Sequence, residues 1–343
     1  MAETQFGIDT FGDATNNDDG TPKSLAQVIR DVVEEGVVAD QAGLDFIGLG
    51  EHHREDYSIS APDVVLAGIA ARTERIHLGS AVTVLSSDDP IRVFQRFSTL
   101  DAISNGRAEV ILGRGSFTES FPLFGHELSQ YEELFTEKLD LFAALLQEGP
   151  VSWSGTIRPP LVEQRVFPPT ESGHLTTWIG VGGSPESVVR AARYNLPLML
   201  AIIGGDAKRF VPYVDLYHRA LDQLGGERLP MGMHSPGYIA DTDEQASAEF
   251  FPAFKENRDR IGRDRGWPPM SRAEFDQEVR HGSLYVGSPE TVARKMAASI
   301  GALGVDRFDL KYSAGPLDHA KSVHAIELYG SKVVPMVKDI LAS

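Results

Sequence analysis

Along the chain the apolar positions switch repeatedly between two periods. Short apolar runs of the kind a buried strand needs give way to stretches with apolar residues three and four apart, as on an amphipathic helix. Phe6-Gly7-Ile8-Asp9-Thr10-Phe11 reads as a first strand, and Leu25, Val28, Ile29, Val32 and Val33 then fall on one helical face. The alternation predicts a second strand at 45–50 with a helix at 62–72, and a third at 76–85 with a helix at 90–104. A fourth strand spans 108–112, and Leu128, Tyr131, Phe135, Leu139, Phe142 and Leu145 mark its helix. A fifth strand at 178–181 leads to a helix through Tyr194, a sixth at 198–203 to a helix at 208–224, and a seventh at 231–240 to a helix ending near Ile261. A helix at 289–303, a strand at 307–312 and a helix at 320–341 close the chain.

Two stretches interrupt this rhythm. Residues 149–176 are rich in proline and polar side chains, with a hairpin-like Val151-Ser152-Trp153-Ser154-Gly155-Thr156-Ile157, and read as an insertion. Residues 262–282 carry two prolines and many charges, and read as a second insertion, a loop over the barrel mouth. Eight strands alternating with helices, with no Gly-x-Gly-x-x-Gly turn after a strand, favour a closed barrel over a doubly wound sheet. The expectation is one (β/α)8 TIM barrel domain over residues 1–343, with insertions at the C-terminal rim of its strands.

Composition narrows the partners. Hydrophobic residues make up 42% and charged residues 24%, enough for a sizeable core. With 49 acidic against 32 basic side chains the formal charge is −17, which repels a nucleic-acid backbone or an anionic lipid surface. The absence of cysteine excludes disulfides, thiolate metal sites and cysteine nucleophiles. No leader-like start and no long apolar run is visible, so a cytoplasmic protein is expected.

In such a barrel the reacting side chains come from the C-terminal strand ends. Glu51-His52-His53-Arg54-Glu55-Asp56 follows the second strand and holds the densest group of titratable side chains. A histidine there can serve as general acid or base, or be a rim residue making one hydrogen bond. A metal is disfavoured, since adjacent residues on a strand end diverge. Gly113-Arg114-Gly115-Ser116 follows the fourth strand, where the guanidinium suits a phosphate or simply faces solvent. Gly182-Gly183-Ser184-Pro185-Glu186-Ser187 follows the fifth strand and reads as a glycine turn into a capped helix N-terminus, a natural anion site. Gly287-Ser288-Pro289-Glu290-Thr291 repeats the pattern near the end, and the residues alone leave the two copies level.

Taken together, Glu51-His52-His53, the run Leu78 to Leu85 followed by Asp89-Pro90-Ile91-Arg92, Leu100 to Arg107, Gly113-Arg114-Gly115 and Phe124-Gly125 resemble the bacterial luciferase-like flavin-dependent monooxygenases over most of the chain. The resemblance implies a barrel with FMN across its rim. Arg114, Gly115, Ser116, Gly182, Gly183, Ser184 and Ser187 would lie at the phosphate, with Ser288 left as a structural cap. A non-proline cis peptide at Ala81-Val82 would lie beneath the flavin ring, and His52 would be the catalytic histidine. One departure is plain: Gly183 stands where the family carries an acid near the phosphate. The implied chemistry is activation of dioxygen by reduced FMN and oxygenation of a small organic substrate. A separate flavin reductase, a homodimer and no metal go with it. A deazaflavin-dependent oxidoreductase and a non-catalytic flavin-binding protein are the competing readings.

Overall fold

The computed structural model describes residues 3–17, 19–115 and 117–343. Eight parallel strands pair in chain order: Gln5–Thr10, Phe46–Leu49, His77–Val84, Ala108–Gly113, Thr176–Val181, Leu198–Ala201, Met231–Ile239 and Arg307–Lys311. The eighth pairs back onto the first, Phe6 opposite Phe308 and Ile8 opposite Leu310, which closes the (β/α)8 barrel.

The two-residue strand period divides the core. Ile8, Ile47, Val110, Ile179, Leu198 and Leu310 face the surrounding helices in one large apolar cluster. Their neighbours Phe46, Ile111, Trp178 and Met199 form a smaller cluster with Ala81 and Val82 packed against it. Charged side chains share that inner layer. The fully buried Arg307 donates to Glu109 at 2.7 Å and to both oxygens of Asp309 at 3.0 Å, and its guanidinium lies 3.5 Å from the centre of the Phe46 ring. Arg307 and Glu109 stand near the starts of their strands, so buried side chains fill that end of the barrel, opposite the rim where barrel sites form. Burial alone would raise the Glu109 carboxyl, but Arg307 and His77 override it and hold it down at about 2. Beside the same guanidinium, burial wins at Asp309 and pushes its carboxyl up to about 6.

Helices start where polar caps meet proline. Asp89 accepts from the amides of Ile91 and Arg92, with Pro90 opening the helix Pro90–Ser104. The expected hairpin exists as Val151–Trp153 paired antiparallel with Leu161–Gln164, and Trp153 ties it to Asp140 of the helix Tyr131–Leu145.

Residues 262–282 are not the irregular loop that their charges and prolines suggest. The helix that begins at Asp243 runs to Arg265, and a second helix spans Arg272–His281. Ser271 caps the latter by accepting from the Glu274 amide, and Phe275 buries itself against Phe250, Phe251 and Phe254. One buried aromatic on a charged helix carries too little periodic signal to outweigh Pro268 and Pro269. A short strand at Tyr285–Gly287 also escapes the pattern; it pairs with the far end of the seventh strand. Among the described residues no helix is long and apolar enough to cross a membrane.

Candidate active site

Four neighbouring strands bring the predicted residues to one rim in spatial order. His52 follows the second strand, Ala81-Val82 lies in the third, Arg114 follows the fourth and Ser184 follows the fifth. These strands are parallel and paired in that sequence, so the four groups stand side by side at their C-terminal ends.

The peptide bond between Ala81 and Val82 is cis, and the pairing register with the fourth strand shifts between Ala81 and Thr83. Glycines on both flanks make room for it. A Cβ on Gly48 would come within 2.7 Å of the Ala81 Cβ, and one on Gly113 within 2.5 Å of Val82 Cγ2. Glu51 holds this corner from the second strand. Its amide donates to the Val82 carbonyl at 3.2 Å, one carboxylate oxygen accepts from the Val84 amide at 2.9 Å, and the other meets His53 Nε2 at 2.9 Å. Sequence reasoning grouped Glu51 with the histidines but gave it no task; its reach to Val84 depends on strand pairing.

His52 and His53 go separate ways. The His52 ring is stacked on Tyr57 at 4.4 Å between centres and meets the edges of Phe11 at 4.6 Å and Phe117 at 5.0 Å. Burial among these rings pushes the imidazole down to about 3, with Asp13 pulling the other way. At neutral pH it is uncharged, with one N–H and one lone pair. Of the cage, Phe11 went unrecognised in the sequence, because it follows the first strand, whereas Tyr57 shares the loop of His52 after the second. Lys311, at the end of the eighth strand, lies 4.5 Å from the Phe11 ring centre and donates to Asp13 at 3.2 Å.

At the other end of the row Ser184 caps the helix Pro185–Arg193, accepting from the Ser187 amide, and the Ser187 hydroxyl lies 3.3 Å from the Ser184 hydroxyl. Gly183 has φ +119° and no side chain could sit there unstrained, while a Cβ on Gly182 would meet nothing within 4 Å. The turn before that helix is open at Gly182, and at the helix start the exposed Glu186 carboxylate accepts from the Ser184 hydroxyl at 2.8 Å. Arg114 faces it, stacked 5.3 Å from the Tyr131 ring centre and paired with Glu132, while Tyr131 donates to the Gly115 carbonyl at 2.6 Å. Arg190 donates to the same Glu132 at 3.0 Å. Arg190 and Glu132 were not singled out in the sequence. Ser116 lies outside the described residues.

The rival helix start is already filled. Ser288 caps the helix Pro289–Leu303, and the Asp243 carboxylate accepts from both the Ser288 amide at 2.7 Å and the Thr291 hydroxyl at 2.9 Å. An intrachain carboxylate satisfies that N-terminus, so it has little to offer an outside anion.

Known proteins resemble this chain in sequence and fold. An uncharacterised protein, y4vJ, of Sinorhizobium fredii is 26% identical over 340 residues, 94% of this chain and 95% of that protein. The alkanal monooxygenase alpha chain of the Kryptophanaron alfredi symbiont is 28% identical over 224 residues, covering 64% of this chain and 61% of that one. Among solved structures, the monooxygenase RslO1 of Streptomyces bottropensis superposes with a TM-score of 0.83 at 24% identity, over 96% of this chain and 99% of that one. The FMN-bound oxygenating constituent of 3,6-diketocamphane monooxygenase from Pseudomonas putida superposes with a TM-score of 0.76 at 19% identity, over 98% of this chain and 99% of that one. At these identities the structures speak for the fold alone. The profile of the luciferase-like monooxygenases matches residues 5–307, and the chain belongs to that family.

Proposed function

We propose that this flavin-dependent oxidoreductase is an FMN monooxygenase that oxygenates a small organic molecule. The observation that carries the reading is the row of four strand ends. It offers an anion site at Arg114 and Ser184, an apolar shelf at Ala81-Val82, and an uncharged histidine at His52. The open space over Gly182 and the positive end of the Ser184 helix suit the phosphate. Ala81 and Val82 are partly buried against the apolar interior cluster and suit the flat ring.

Reduced FMN, when bound, supplies the electrons that activate dioxygen. The chain's part is positioning and protection. Arg114, Ser184 and Ser187 orient the phosphate end. Phe11, Tyr57 and Phe117 keep water from His52. The neutral imidazole can donate one hydrogen bond through its N–H and accept one on its lone pair at the reacting oxygen centre. Glu51, locked to Val84 and His53, holds the second and third strand ends together beneath them. A separate reductase supplies the reduced flavin, and a homodimer is the proposed assembly.

Fluorescence titration with FMN, riboflavin and coenzyme F420 tests this. FMN should bind most tightly, and Arg114→Ala should weaken FMN by about 10- to 100-fold, the worth of a charge-assisted phosphate contact, while leaving riboflavin nearly unchanged. Preference for F420 over FMN overturns the cofactor assignment, and equal losses for FMN and riboflavin move the phosphate elsewhere.

A further inference from the structure

Resting on the reading that the flavin phosphate lies between the fourth and fifth strand ends, we propose that the Glu132 carboxylate is a built-in occupant of the phosphate position, and that Arg190 joins Arg114 in receiving the phosphate when Glu132 leaves. Arg114 comes from the loop after the fourth strand, and Arg190 from the helix after the fifth. They converge on one carboxylate, Arg114 Nη1 on Oε1 and Arg190 Nη2 on Oε2, the second contact at 3.0 Å. Two guanidiniums gripping two oxygens of one anion is the arrangement by which phosphate is held.

The three partners are not equally fixed. The Arg114 guanidinium rests 5.3 Å from the Tyr131 ring centre, and that of Arg190 lies 5.4 Å from the centre of Phe135. Arg190 is mostly buried, its side chain 14% exposed, and its Nη1 is a buried donor with no partner. Glu132 is 58% exposed and stands in the first turn of the helix Tyr131–Leu145, where its side chain can rotate into water. The cations are therefore held by rings, and the anion is free to go. Glu186 feels the same field: its own helix-start amide and the Ser184 hydroxyl lower its carboxyl first, and Arg114 and Arg190 lower it further.

Charge accounts for the exchange. Glu132 brings one negative charge to the two guanidiniums, and a phosphate dianion in its place brings two. A carboxylate that stays would oppose the incoming dianion, so FMN must displace Glu132 whereas riboflavin need not. The competition weakens FMN without touching riboflavin, which suits a flavin that arrives reduced from another protein and must leave again once oxidised. A mere surface ion pair between the same residues would stabilise the fold little and leave flavin selection unchanged.

The test is fluorescence titration of FMN and riboflavin on the full chain, wild type against Glu132→Gln and Arg190→Gln, with inorganic phosphate as competitor and thermal melting as a folding control. Glu132→Gln should tighten FMN by about 3- to 10-fold and Arg190→Gln should weaken it by about 10- to 100-fold, with riboflavin unchanged in both. Phosphate should compete with FMN more strongly on Glu132→Gln than on the wild type. If Glu132→Gln leaves FMN unchanged or weaker, the internal occupant is refuted; if Arg190→Gln shifts only the melting temperature, Arg190 is structural. Either result can stand while wild-type FMN still binds more tightly than riboflavin, which leaves the site assignment intact. A wild type that does not prefer FMN overturns the site and this inference together.

Discussion

Replacing His52 by phenylalanine keeps an aromatic ring against Phe11, Tyr57 and Phe117 but removes a group that resists protonation. In the unfolded chain a histidine titrates near 6.5, whereas burial pushes His52 down to about 3. Between these values the unfolded state binds the extra proton and the folded state does not, so the wild type loses stability as pH falls from about 6.5 towards 3. Full linkage over that gap gives about 2 kcal/mol lost between pH 7 and pH 5. Because the residue keeps some solvent exposure, on the order of 1–2 kcal/mol is the working expectation. Urea denaturation across pH 4.5–8, wild type against His52→Phe, measures it. The stability curves should lie close together above about pH 7 and separate below about pH 6.5, with the wild type falling faster. Parallel curves over the whole range would show that His52 protonates freely in the folded protein, and would remove the argument that it is neutral at work.

Glu109→Gln should cost about 3–5 kcal/mol at pH 7, because it leaves Arg307 buried beside an incompletely charged partner set. The folded Glu109 carboxyl is held down at about 2, so its contribution is present above the unfolded value near 4.5 and the gap between wild type and variant should close as pH falls towards 2 in acid-titrated melting curves. A gap that persists at the acid end would assign the loss to packing. Ser184→Ala should weaken FMN several-fold in the fluorescence titration and Ser288→Ala should not, since Asp243 already fills the second helix start; the reverse pattern would exchange the two sites.

The fold was legible because strands facing helices are apolar on their outer side, and Ile8, Ile47, Val110 and Ile179 announce that face whatever lies inside. What lies inside was not legible. Arg307, Asp309 and Lys311 alternate with Phe308 and Leu310, and in one strand such a pattern normally means a solvated face. Here it is a buried ionic layer whose partner, Glu109, comes from the opposite part of the chain. The candidate site divides in the same way. His52, Arg114 and Ser184 stand in local motifs of glycine, cap and strand end, which carry their own signal. The cage of Phe11 and Tyr57, the clamp from Glu51 to Val84 and the convergence of Arg114 and Arg190 on Glu132 exist only once neighbouring strands are paired. That Asp243 occupies the second Gly-Ser-Pro-Glu helix start was not legible either, because only the fold brings Asp243 to Ser288.

A crystal structure of the chain soaked with FMN tests the central claim most directly. The account predicts the phosphate between Arg114, Arg190 and the Ser184 helix start, with Glu132 turned away, and the flavin ring over Ala81-Val82 beside His52. A phosphate at Ser288, or a ring that leaves the Ala81-Val82 shelf and His52 uncovered, would contradict it.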